Sequence, residues 1–286
     1  MAAVTPAVLR HESDEHGRLL RVQRAPDERL LGVVNGYCGY VHAGTATARR
    51  REIAQDQVTI IVGFGPRLRV SGPGHAAAEI DCFVAPLHPS YAVTEEHGGL
   101  RGVQIDLSPV GAHMLFGIAM HELSDHLVVP LDAVLGDGVR ELVERLECAR
   151  TWELRFEILD DYIARRVSMA RAPSPDVRWA WRRLCETGGR IEIRALSAEL
   201  GCSNRHLVSR FHEQLGPSPK TVARLLRFQR AVGSLTAARG RRFAEIAQAC
   251  GYYDQAHLNR DFRELAGISP SAFVASLLPD GIGVAA

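Results

Sequence analysis

Two short stretches of this chain carry side chains suited to reading the edges of DNA bases. In the first, Asn204, Arg205, Val208, Ser209 and His212 share one face of a helical wheel, opposite Leu207 and Phe211. In the second, Gln255, Ala256, Asn259, Arg260 and Arg263 lie opposite Leu258 and Phe262. Arginine can pair with guanine through two hydrogen bonds, and asparagine or glutamine with adenine. Arg205, Gln255, Asn259 and Arg260 are therefore the base-reading candidates. His212 and Arg263, one turn further on, suit phosphate oxygens. Ser203 and Asp254 stand where each helix would begin, and both side chains can cap its first free N–H groups.

The elements that must position these faces come as a repeat. His206-Leu207, Phe211, Gly216 and Ser218-Pro219 recur as His257-Leu258, Phe262, Gly267 and Ser269-Pro270, every interval preserved at an offset of 51 residues. A short amphipathic segment precedes each copy, Ala195–Gly201 and then Phe243–Gly251, and each ends at a glycine able to take a left-handed C-terminal conformation. Helix, turn and second helix make two helix-turn-helix units. Between them Pro219–Leu235 reads as one helix, roughly 25 Å long at ~1.5 Å per residue. A stiff spacer of that size can hold two recognition helices about one DNA turn apart, near 34 Å. Arg224, Arg227 and Arg230 recur along it, either as a solvated face or as phosphate clamps.

These residues resemble the AraC/XylS family of transcription regulators. The resemblance covers about Asp176 to Leu278 and rests on Ala195–Phe211, Gly216-Pro-Ser-Pro219, Arg227, Phe243–Gly251 and His257–Pro270. It implies a bacterial, cytoplasmic transcription factor without enzymatic activity that binds double-stranded promoter DNA, with base contacts early in each second helix. The DNA contacts would then come from Ser203, Asn204, Arg205, Val208, Ser209, His212, Asp254, Gln255, Ala256, Asn259, Arg260 and Arg263. Val208 and Ser209 depart from the longer polar side chains usual there, so the first helix is expected to read fewer bases. Further partners implied are a small-molecule effector, RNA polymerase and a second copy of the chain.

Charge agrees with a divided chain. The net charge is only +1, but residues 176–278 carry an excess of seven positive charges and the remainder an excess of six negative ones. Only Lys220 breaks an otherwise all-arginine cationic set. No apolar run approaches the ~20 residues that span a bilayer, and Met1–Arg10 lacks the layout of a signal peptide. No membrane partner is expected.

From about Leu30 to Leu107 short apolar segments alternate with Gly and Pro turns: Leu31–Val34, Val58–Gly63, Ile80–Val84, Tyr91–Thr94 and Gly102–Leu107. This spacing predicts an antiparallel sandwich or small barrel, and its layout resembles the cupin-like sensor of such regulators. Ser108-Pro109 opens a helical region in which Gly138–Ala149 and Thr151–Arg166 form a hairpin closing the domain. The fold class expected is α+β and multidomain: a small β-barrel or sandwich with a helical hairpin, then an all-α domain with two helix-turn-helix units. The boundaries are 1–167 for a sensor or dimerisation domain, 168–175 for an extended, exposed linker, 176–278 for the DNA-binding domain and 279–286 for a tail.

Nine of twelve histidines precede residue 130. His121-Glu-Leu-Ser-Asp-His126 misses the zinc-protease spacing, because Asp125 stands where the second ligand must sit. No His-x-His pair occurs, and no metal or other cofactor is expected. Cys38, Cys82, Cys148, Cys185, Cys202 and Cys250 have no metal-binding spacing and read as small core residues. Two rival readings are a DNA-repair methyltransferase-regulator using an activated cysteine, and a DNA-binding module without effector sensing.

Overall fold

The computed structural model describes residues 8–14, 17–43, 47–237, 242–277 and 284–285. The remaining residues, including most of Met1–Arg10 and of the 279–286 tail, lie outside the described set. The N-terminal half forms two antiparallel sheets. One has the strand order β1 (Val8–Asp14), β2 (Gly17–Arg24), β3 (Val34–Ala43), β10 (Arg101–Leu107), β5 (Val58–Gly63), β8 (Cys82–Ala85), β11 (Val129–Pro130). The other runs β12 (Val284–Ala285), β4 (Thr47–Glu52), β9 (Ala92–His97), β6 (Leu68–Gly72), β7 (His75–Ile80).

The first sheet is covered on both faces, which is why Val58–Gly63 reads as a continuous apolar run. Val58, Ile60 and Val62, with Val103, Ile105 and Leu107, are buried under helices. Thr59, Ile61, Gln104 and Asp106, one residue out of phase, face the space between the sheets. The helical layer comprises α1 (Pro109–Phe116), α2 (His121–Ser124), α3 (Leu131–Leu135), α4 (Gly138–Cys148) and α5 (Trp152–Ser168). Ser108 caps α1 by accepting from the Gly111 N–H, and Thr151 caps α5 by accepting from the Leu154 N–H. A Cβ at Gly111 would overlap the backbone of Val33, so only glycine fits there.

A buried polar cluster fastens the hairpin to the barrel. Arg24 of β2 pairs with Asp160 of α5, both nearly inaccessible, and the Tyr37 hydroxyl donates to the same carboxylate at 2.8 Å. The segment 8–24 is thus two strands, although its charged residues hide the apolar alternation from a sequence reading. Residues 31–33 form a turn rather than the start of a strand, and Ile80–Val84 is split at Asp81 into two strands.

The C-terminal third is helical: α6 (Pro175–Glu186), α7 (Ile193–Glu199), α8 (Asn204–Leu215), α9 (Pro219–Ala237), α10 (Phe243–Cys250), α11 (Gln255–Leu265) and α12 (Pro270–Ala275). The first of these, α6, carries Val177, Ala180 and Leu184 into the core of the first unit, against Leu196, Leu207 and Phe211. The preceding linker is not wholly exposed. Pro173 is buried, and the Ser174 N–H donates to Gln214 Oε1 at 2.8 Å. The cysteines are also mixed: Cys38 and Cys250 are buried, Cys82 and Cys202 half-buried, and Cys148 and Cys185 exposed.

Candidate nucleic-acid interface

Each recognition helix is fixed by its cap and its apolar stripe. Gly201 (φ +65°) ends the α7 segment in the left-handed region, and Ser203 Oγ accepts from the His206 N–H at 3.2 Å to start α8. Gly251 (φ +84°) ends α10, and Asp254 Oδ1 accepts from the His257 N–H at 2.7 Å to start α11. Leu258, Phe262 and Leu265 are fully buried, with Phe262 edge-on to Phe228 at 4.9 Å and to Phe273 at 5.6 Å. Both stripes are the ones expected from the four-residue spacing.

The opposite faces are open. Ser203, Asn204, Arg205, Ser209 and His212 are exposed and Val208 half-buried; Asp254, Gln255, Ala256, Arg260 and Arg263 are exposed and Asn259 half-buried. Two of these side chains have structural duties as well. Asn204 accepts from the Ser197 hydroxyl at 2.7 Å, tying α8 to α7. His212 Nδ1 donates to the Gly216 carbonyl at 2.8 Å, which leaves Nε2 to face outward partners.

Two of the three spacer arginines do not form a solvated face. Arg224 Nε donates to Asp261 of α11 at 2.8 Å, and its other nitrogen reaches Glu264. Arg227 donates to the Gly189 carbonyl at 2.6 Å, on the turn between α6 and α7. Both are half-buried braces that set the angle of the reader helices; of the three only Arg230 is exposed. Tyr253, 95% exposed directly before the Asp254 cap, is a further large side chain beside the second reading face. It escaped sequence reading because nothing in its spacing distinguishes it from its buried neighbour Tyr252.

The N-terminal domain contacts both units at corresponding places. The Met120 N–H donates to the Glu213 carbonyl at 2.8 Å, and the Ala54 N–H donates to the Leu265 carbonyl at 2.9 Å. Each acceptor lies in the last turn of a recognition helix, where carbonyls lack partners within the helix. Gln229 of the spacer donates to the Ala54 carbonyl. Gly267 (φ +71°) packs against Arg51 and the Tyr91 ring, where any Cβ would overlap them.

Behind this contact lies a cavity of about 520 Å³ inside the barrel. Leu19, Tyr40, Ile61, Val70 and Phe83 form much of its apolar wall, and Ile53, Gln229, Val232, Phe273 and Leu277 close the end toward the reader helices. Burial pushes the Asp106 carboxyl above its usual range, against hydrogen bonds from Gln104 and Thr59 that favour its charge. Burial likewise lowers His88, in edge contact with His75. Among the described residues no helix is long and apolar enough to cross a membrane, and no group of three His, Cys, Asp or Glu is arranged to hold a metal ion.

A family model described as a helix-turn-helix domain matches residues 196–276. The crystal structure of a probable AraC family transcriptional regulator from Rhodopseudomonas palustris CGA009 is 30% identical, over 36% of this chain and 96% of that one, with a TM-score of 0.33. Through this domain the chain belongs to the AraC family of DNA-binding transcription regulators. Similarity to the C-terminal domain of AraT, a response regulator from Geobacillus stearothermophilus, is 24% in identity over 35% of this chain and 83% of that one, TM-score 0.33. Over most of its length the AraC-family chain aligns with unsaturated fatty acid bound wild-type ToxT from Vibrio cholerae strain SCE256, at 10% identity, 92% coverage of this chain, 96% of that one, and a TM-score of 0.49. No curated protein matches.

Proposed function

We propose that this regulator reads two successive major-groove segments of promoter DNA with α8 and α11, and that a small molecule in the barrel cavity sets their relative pose. Arg205, Gln255, Asn259 and Arg260 make the base contacts, and His212 and Arg263 contact phosphates. The functional units are 1–167 as sensor and 176–278 as reader, joined through 168–175. One observation carries the regulatory part: the cavity is walled by the reader itself. Gln229 and Val232 of the spacer and Phe273 of α12 line it, as does Ala54, whose N–H and carbonyl bond to the second recognition helix and the spacer. A molecule filling that end presses on the same residues that fix α11, so it has differential contact with two arrangements of the reader, as a switching ligand must.

The test is a shift assay of the full-length protein on genomic fragments, repeated at two salt concentrations. A sequence-specific complex that weakens steeply with salt is expected, and Val232→Trp, which fills the reader end of the cavity, is expected to change operator affinity without touching a DNA-facing residue. Equal binding to all fragments refutes specific readout. Specific binding insensitive to Val232→Trp refutes the coupling.

A further inference from the structure

The barrel cavity holds a polar group for which the fold offers no use. His42 lies on β3, one inward position beyond Tyr40, and its ring is 98% buried. Its Nδ1 meets the carboxylate of Glu96, which reaches across from β9 on the opposite sheet and is equally buried. Both ring nitrogens and Glu96 Oε1 are buried without a well-formed hydrogen bond, and Nε2 lacks even the close carboxylate that Nδ1 has. With the carboxylate against Nδ1, the neutral ring places its proton there and leaves the Nε2 lone pair as an acceptor. An imidazole sealed from water with an unused acceptor costs stability unless something donates to it.

The surroundings define that donor. Leu19, Ala48 and Leu100 line the cavity around the pair, so the donor must arrive on an apolar body. A second carboxylate at Nε2 would face Glu96 across the ring, an unfavourable like-charge placement. Arg21 and Arg50, which also line the cavity, are each already engaged. From His42 the cavity runs along β3 to the level of Asp106, which pairs with Gly36. That is six residues of strand, about 20 Å at ~3.3 Å per residue, so an elongated occupant reaches from the His42 end toward Gln229 and Phe273.

We propose that the cavity binds an elongated, uncharged apolar molecule bearing one hydroxyl, an alcohol or a phenol, whose O–H donates to His42 Nε2. This rests on the reading of the cavity as the effector site. His42 and Glu96 then act as the specificity element, and the chain beyond the hydroxyl fills the space against the reader helices.

Three probes of one shape separate the possibilities in isothermal titration calorimetry on the full-length protein: 4-hexylphenol, 4-hexylanisole and 4-hexylbenzoate. The phenol is expected to bind about tenfold or more tightly than the anisole, which lacks the donor, because a buried acceptor left unpaired is heavily penalised. It should exceed the benzoate by a similar factor. His42→Phe should bring the phenol down to the affinity of the anisole while leaving the anisole bound, a loss of discrimination that mere loosening of the barrel would not produce. Phenol and anisole binding alike, or benzoate binding most tightly, overturns the hydroxyl assignment and leaves the effector cavity standing. Should none of the three bind the wild-type protein, both fall together. The wild-type comparison decides the matter even where His42→Phe fails to fold.

Discussion

Arg224→Met separates a brace from a phosphate clamp. In the structure the guanidinium spans from the spacer α9 to Asp261 and Glu264 on α11, and the Asp261 side chain is 4% exposed against 26% for Arg224. Methionine keeps the apolar stem and deletes the charge, so Asp261 is left as an uncompensated buried carboxylate. Removing one partner of a fully buried pair costs ~3–5 kcal/mol. The quarter exposure of Arg224 lets water reach Asp261 once the guanidinium is gone, which reduces the expected cost to about 2–3 kcal/mol. That corresponds to roughly 30- to 150-fold in the folding equilibrium.

Urea denaturation of the full-length protein measures this directly. The double variant Arg224→Met with Asp261→Asn should recover more than half of the loss, since the orphaned charge is removed with its partner. Operator affinity should fall chiefly through bases read by α11, because the pair sets that helix against the spacer. The opposite pattern would refute the reasoning: unchanged stability, with DNA affinity lowered uniformly across sequences and the salt slope reduced by about one phosphate contact.

Three further outcomes are expected. Arg260→Ala should weaken binding by ~1–3 kcal/mol and relax specificity at one base position, as read by a shift assay on single-base operator variants; a loss equal for all sequences would make Arg260 a phosphate contact. Gly267→Ala should lower stability by about 1–3 kcal/mol, because a left-handed φ of +71° disfavours any side chain and the new Cβ would overlap Arg51 and the Tyr91 ring; thermal melting checks it, and an unchanged midpoint would show that the N-terminal domain does not press on this loop. Asp106 has its folded pKa raised by burial, so the native state keeps a proton that the unfolded chain has released, and stability falls as pH rises from the unfolded value through the folded one. Asp106→Asn should therefore gain on the wild type between pH 4 and pH 7 in parallel melts, and a constant difference across that range would contradict the assigned burial.

What the sequence disclosed follows from the range of the interactions involved. Ser108, Ser203 and Asp254 were legible as caps because a cap and its N–H partner are three residues apart, within sight of any local reading. The spacer was legible for the same reason, its length written in one unbroken apolar period from Pro219, although it continues to Ala237. Arg224 and Arg227 looked like a solvated or phosphate-facing row because their partners, Asp261 and Gly189, lie 37 and 38 residues away. Strand β2 was missed because Arg21 and Arg24 occupy buried positions that a binary pattern assigns to surface; Arg24 is tolerated only through Asp160, 136 residues distant. The His42–Glu96 pair joins two sheets and has no local signature at all.

That distribution bears on how such a regulator changes. The outward faces of α8 and α11 rest on local caps and one apolar stripe each, so under the proposed function substitutions at Arg205, Gln255 or Arg260 should alter what is read without disturbing how the helix is held. The pose of the two faces rests instead on long-range contacts: Arg224 with Asp261, Met120 with Glu213, Ala54 with Leu265 and Gln229. Only the last of these lines the cavity, and it is the one joined to both the second recognition helix and the spacer. Under the proposed function a ligand would act asymmetrically: it would reach α11 through Ala54, while α8 is held by Met120 through a contact outside the cavity lining. The second helix also carries the fuller set of the side chains proposed to read bases, Gln255, Asn259 and Arg260. On that reading an effector that shifts Ala54 would govern the half of the operator read by α11, while the first unit would stay docked to the N-terminal domain.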